Sequence, residues 1–126
     1  MSKITGVLID VQKKTAVVHT MRSGALEEYY DILNCTTFDI ASRKIGKNYY
    51  DIYCDDEGLL KINPIVSAVS PDRSPMLVGN LFVTKTDTEG ETISLTEKEL
   101  FEVITNTIQL IDSETMTPYI ALVCDY

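Results

Sequence analysis

Residues 45–83, IGKNYYDIYCDDEGLLKINPIVSAVSPDRSPMLVGNLFV, decide how this chain of 126 residues is read. Tyr49 to Cys54 has the aromatic and β-branched density of a strand, and Asp55-Asp56-Glu57-Gly58 makes an acidic turn. The segment GLLKINPIVSAV is a short apolar crossover that Pro64 keeps from being one continuous helix, although Asn63-Pro64 could start a short helix or a turn. A proline-bounded loop, Pro71 to Pro75, leads into a second strand, Met76 to Thr84. Gly79-Asn80 interrupts that strand, which implies a bulge or the close approach of another backbone or a ligand. Three of the four prolines and three of the six glycines fall in this run, so the chain turns here repeatedly.

Towards the N-terminus, Ile4 to Val11 and Thr15 to Met21 are β-branched runs joined by Gln12-Lys13-Lys14, the spacing of a hairpin. His19, the one histidine, falls in the second run as a half-buried or exposed strand residue. Ser23 is placed to cap a helix whose apolar positions Leu26, Tyr29, Tyr30 and Leu33 recur at helical spacing, with Glu27 and Glu28 in the first turn and Asn34 as the stop. TTFDIASRKI and NYYDIY form a second hairpin around Gly46-Lys47-Asn48. With Ile45 opposite Tyr49, Arg43 meets Asp51, Ala41 meets Tyr53 and Asp39 meets Asp55, and the core face carries Phe38, Ile40, Tyr50, Ile52 and Cys54.

Towards the C-terminus, residues 85–91 are a polar connector to the best-signalled element, a helix with Thr96 and Glu99 as its capping box and Leu95 with Leu100 as its hydrophobic staple. Its expected buried stripe is Leu100, Ile104, Ile108 and Ile111, with Phe101 alongside and Asp112-Ser113-Glu114 as its end. Tyr119 to Tyr126 reads as a last strand. The order β-β-α-β-β-β-α-β predicts one α+β domain over residues 1–126, a mainly antiparallel sheet with two helices packed on it.

Length and a 44% hydrophobic content fit one core. The N-terminal MSKITGVLID patterns as a strand and lacks a secretory apolar region, and no run reaches the length of a membrane span; a cytoplasmic protein with no membrane partner is expected. Cys35, Cys54 and Cys124, an odd number without CxxC spacing, argue for reduced thiols, at least two of them buried. The net charge of −8 disfavours duplex nucleic acid as a partner.

The chain has no nucleophile elbow, phosphate-binding loop, dinucleotide turn or HExxH motif. The acidic turn fails the calcium-loop spacing and reads as solvated, so no metal, cofactor or catalytic residue is assigned. Binding is the stronger expectation. Arg43, Lys44, Lys47, Lys61 and Arg73 are five of the eleven cations, interleaved with Tyr49, Tyr50 and Tyr53. Arginine forks grip phosphate or carboxylate and tyrosine offers a ring face, so Arg43, Tyr49, Asp51, Tyr53, Lys61, Arg73 and Asn80 are the candidate ligand-binding residues for a small nucleotide-like anion. The competing view is a solvated charged face on which Arg43 merely pairs with Asp51.

YDIYCDDEGLLKINPIVSAV followed by PMLVGNLFV resembles domain of unknown function family 3846, in which a D-E-x-G turn, a downstream N-P or N-x-x-A segment and a V-G-x-x-x-V strand occur in this order. Here these are Asp55 to Gly58, Asn63-Pro64 with Ala68, and Val78-Gly79 through Val83; GVLIDV near the N-terminus is also in keeping, while the segment from the second helix to Tyr126 reads as a local addition. The resemblance implies a bacteriophage or mobile-element accessory protein of a bacterial host, with no catalytic residues to carry over. Together with the compact acidic domain and the missing catalytic signatures, it points to a non-catalytic protein that interferes with a host defence process by binding a host protein or sequestering a small nucleotide-like signal. Two alternatives stand beside it: a small hydrolase of nucleotides or peptides using carboxylates near Asp51, Asp55 and Glu57, and an oligomeric structural or regulatory domain in which the last strand pairs with a second copy.

Overall fold

In the computed structural model, which describes residues 3–22, 24, 26–61 and 64–126, ten strands build two sheets and two α-helices cover the larger one. The strands are β1 (Lys3–Asp10), β2 (Thr15–Arg22), β3 (Phe38–Ile45), β4 (Asn48–Asp55), β5 (Val66–Val69), β6 (Pro75–Val78), β7 (Leu81–Thr86), β8 (Thr92–Ile93), β9 (Thr107–Ile111) and β10 (Pro118–Val123). The helices are α1 (Leu26–Leu33) and α2 (Glu97–Thr105). The first sheet runs β2-β1-β7-β4-β3, with β8 added along β7; the second runs β6-β5-β10-β9. Every pairing is antiparallel except that of β10 with β5. The α+β class read from the sequence therefore holds. No helix among the described residues is long and apolar enough to cross a membrane.

β7 is the centre of the larger sheet. Leu81 and Val83 point to one side, into a core with Val7, Ile9, Tyr50 and Ile52; Phe82 points to the other, with Ile4, Met21 and Tyr53. The first side is covered by Val103 of α2 and by the second sheet through Ala68, Leu122 and Cys124. The second is covered by Tyr29 and Leu33 of α1. β1 reaches β7 only because residue 6 is glycine: a Cβ there would sit 2.2 Å from the Val83 carbonyl oxygen, inside van der Waals contact with backbone that has nowhere to go.

The β1–β2 hairpin forms as expected, closed by Lys14 at φ 57°. The capping box of α2 is complete, with the Glu99 amide on Thr96 Oγ1 and the Thr96 amide on Glu99 Oε1. Glu27 and Glu28 open α1 and Asn34 stops it at φ 52°; the Ser23 cap and the Asn63 half of the Asn63-Pro64 turn lie outside the described residues.

Five expectations are corrected. There are two sheets, because VSAV is a strand of the second one and the Pro71–Pro75 loop is the tip of a β5–β6 hairpin. Met76 to Thr84 is not one strand: Gly79 takes φ 78° and the chain changes sheets there, β6 to β7. The second helix ends at Asn106, whose Nδ2 donates to the Glu102 carbonyl, and Thr107–Ile111 becomes β9 because Pro118–Val123 returns to pair with it; Val103 is the fully buried residue of α2, while Phe101 and Ile111 face solvent. The second hairpin has a two-residue loop, Gly46-Lys47, so the register moves by one and Arg43 lies opposite Tyr50, Asp51 opposite Ser42, and Ile40 on the exposed side. Finally, the last strand is no free edge, since β10 lies between β5 and β9.

Gly6→Ala is expected to cost about 2 kcal/mol or more, in the range of overpacked cores, read as a lowered urea midpoint. The control Gly90→Ala changes an open turn where only φ is strained, and loses less.

Candidate functional site

The sheet switch that ends β6 also frames a cleft. Asn80, the residue after the turn glycine, accepts the Val11 amide on Oδ1 at 3.0 Å and donates from Nδ2 to the Ile32 carbonyl at 2.8 Å. One side chain thus ties the end of β1 to the last turn of α1. Asp10 accepts the Gln12 and Lys13 amides, both at 3.0 Å, which sets the hairpin tip. Opposite, the 3-10 turn Gly58–Leu60 carries Lys61, whose ammonium sits 2.7 Å from Asp55 Oδ2 and also donates to the Asn34 carbonyl. Asp55 spends its other oxygen on the Glu57 amide at 2.9 Å.

Between these elements lies a cleft of about 830 Å³. Leu8, Val17 and Ile65 give it an apolar wall; Lys13, His19, Asn34, Lys61 and Asn80 supply polar groups, and Asp10, Asp31 and Asp55 bring three carboxylates to the same lining. His19 rests edge-on against Phe82, ring centroids 5.8 Å apart and planes at 89°. The Asp55 side chain is 4% exposed and the Lys61 side chain 46%, so the pair is buried on its acidic side only. Such a pair orients groups more than it stabilises them, because burying the carboxylate offsets much of the attraction.

The cleft takes in two of the seven candidate residues, Lys61 and Asn80. The other five lie elsewhere. Arg43 shares the inter-sheet face with Tyr50, its guanidinium 4.7 Å from the Tyr126 ring centre and donating to the Ser42 carbonyl, with its Nε unpartnered among the described residues. Tyr49 is exposed and its hydroxyl reaches the Tyr126 carbonyl at 3.3 Å. Asp51 accepts from Thr86 on the opposite face of the sheet from Arg43, so the expected Arg43–Asp51 pairing does not form. Tyr53 is a core residue, stacked on Tyr29 at 4.5 Å with its hydroxyl on Thr92 at 2.7 Å. Arg73 is held in the β5–β6 loop, folded back on the Pro71 carbonyl at 2.9 Å. Lys13, Val17 and His19 line the cleft without having been candidates, although period two along β2 already puts Thr15, Val17 and His19 on one face.

Asp51, Asp55 and Glu57 are engaged separately by Thr86, Lys61 and Thr37, and among the described residues no three His, Cys, Asp or Glu side chains converge as a metal-binding group. All three cysteines are unpaired; burial pushes Cys54 and Cys124 up to about 11, and burial together with the Asp55 charge raises Cys35.

A family model described as Domain of unknown function (DUF3846) matches residues 4–124. That span includes α2, β9 and β10, so the C-terminal third is part of the family pattern and not a local addition. No curated protein and no solved structure matches the chain.

A maleimide or disulfide reagent at pH 8 is expected to label half-buried Cys35 first, with Cys54 and Cys124 reacting only as the fold opens. Because folding raises those two thiols above their free value, their stabilising contribution is complete below about pH 9 and falls away as pH climbs through about 11. Alanine at both positions should therefore flatten the alkaline limb of a pH–stability curve.

Proposed function

From the premise that the chain belongs to the DUF3846 family, we propose that it is a non-catalytic binding protein of a bacteriophage or mobile element, which acts in the bacterial cytoplasm and interferes with a host defence process by sequestering a small nucleotide-like signal. The observation that carries the reading is the cleft at the β1–β2 hairpin tip. Its size lies within the roughly 300–1,000 Å³ typical of small-molecule sites, and its walls combine an apolar patch with polar groups and charges of both signs. Leu8, Val17 and Ile65 suit the face of a base, Lys13 its anionic groups and the Asn34 side chain its hydrogen-bonding edge, while Lys61 and Asn80, already engaged with Asp55, Val11 and Ile32, shape the walls.

Rigid framing supports the same reading. Asn80 and the Asp55–Lys61 pair hold the cleft's walls before any ligand arrives, which lowers the ordering cost of binding. The cleft lining contains no serine or cysteine among the described residues, and its one histidine is laid against Phe82. Three unpaired thiols are in keeping with a reducing compartment.

Isothermal titration against cyclic oligonucleotides and ADP-ribose derivatives is the test. At least one is expected to bind saturably and to be recovered intact. Lys13→Glu and Val17→Asp, both on exposed positions of the cleft, should weaken it at least tenfold, a loss of about 1.4 kcal/mol. Silence across the panel overturns the reading. Recovery of a cleaved ligand transfers it to the hydrolase alternative.

A further inference from the structure

Four strands end the two sheets, and three of them carry the devices that keep an edge from recruiting another strand. β3 has Asp39, Arg43 and Lys44, and Lys44 is already bridged to Asp125. β6 has four residues, starts with Pro75 and pairs with β5 through register shifts. β2 carries His19 and ends in Arg22, which is ion-paired to Glu28 at 2.9 Å. β9, TIQLI, has no charge, proline or bulge.

The direction of its free backbone groups follows from the ladder. The Val123 amide bonds to the Asn106 carbonyl and the Asp112 amide to the Thr117 carbonyl, so even-numbered residues of this strand face β10. In an antiparallel pair these alternate with residues that face away. Thr107, Gln109 and Ile111 therefore present their N–H and C=O groups outward, and Ile111 is 61% exposed.

We propose that β9 pairs antiparallel with β9 of a second copy, about a two-fold axis through Gln109, joining two four-stranded sheets into one of eight. The strand is self-complementary in this arrangement. Gln109 meets its own mate, Ile111 meets Thr107, and the adjoining Asp112 meets the uncharged Asn106, so no like charges face each other. That selects a second copy: in a chain of net charge −8, most ways of bringing two molecules together oppose acidic surfaces, and this uncharged strand avoids it. Asp112 is also turned inward, accepting the Glu114 and Thr115 amides of its own turn.

Sedimentation equilibrium at micromolar concentration is expected to show a dimer, with amide exchange slowed at Thr107, Gln109 and Ile111. Gln109→Pro removes an amide that β10 does not use, and Ile111→Lys places a cation at the edge. Both should keep the far-ultraviolet circular dichroism and weaken the dimer at least tenfold. A monomer at these concentrations, or a dimer that survives both substitutions, overturns the inference. So does a monomer whose three amides become protected only when an unrelated extended peptide is added, which would assign the edge to a foreign strand.

Discussion

Leu81, Phe82, Val83 and Thr84 have no exposed surface, and a strand buried on both faces demands a cover on each side. That single requirement accounts for the layering. Phe82 needs α1 and its Tyr29; Leu81 and Val83 need α2 and the second sheet. Each fully buried large side chain contributes about 1.5–3 kcal/mol, so the flanking layers are held by the same strand that they enclose. Gly6 is the geometric condition for it, since only a residue without a side chain lets β1 approach the Val83 carbonyl.

The passage of the chain between sheets at Gly79-Asn80 links this core to the cleft. A left-handed glycine turns the backbone and the next residue spends its amide on two distant segments, Val11 and Ile32. Position and support for the proposed ligand thus come from an element that exists for reasons of topology. The neighbouring Asp55–Lys61 pair adds direction at little net stability, consistent with a carboxylate that is almost wholly enclosed and an ammonium that is not.

Local signals were legible in the sequence and distant ones were not. Thr96 and Glu99 announce α2 because a capping box closes within one turn, and Asn34 and Lys14 sit where positive φ is needed. The end of α2 was misread because Ile104, Ile108 and Ile111 happen to keep helical spacing, while the competing preference of Thr107–Ile111 for a strand is decided by Pro118–Val123, which is remote in sequence. The hairpin register slipped because Gly46-Lys47-Asn48 fits a loop of either two or three residues, and that one residue carried Arg43 to the opposite face from Asp51. Of the cleft, Lys61 and Asn80 were visible as polar groups at turns. Lys13, Val17 and His19 became meaningful only once α1 and the 3-10 turn were placed beside β2.

The order in which the strands are made carries a further consequence. Val7 waits for Val83 and Ala68 waits for Leu122, so the larger sheet closes only when β7 arrives and the second only when β10 enters between β5 and β9. Such long-separation pairings make for slow folding. Until β10 arrives the half-built second sheet leaves its apolar face uncovered, the kind of transient surface that favours aggregation during folding.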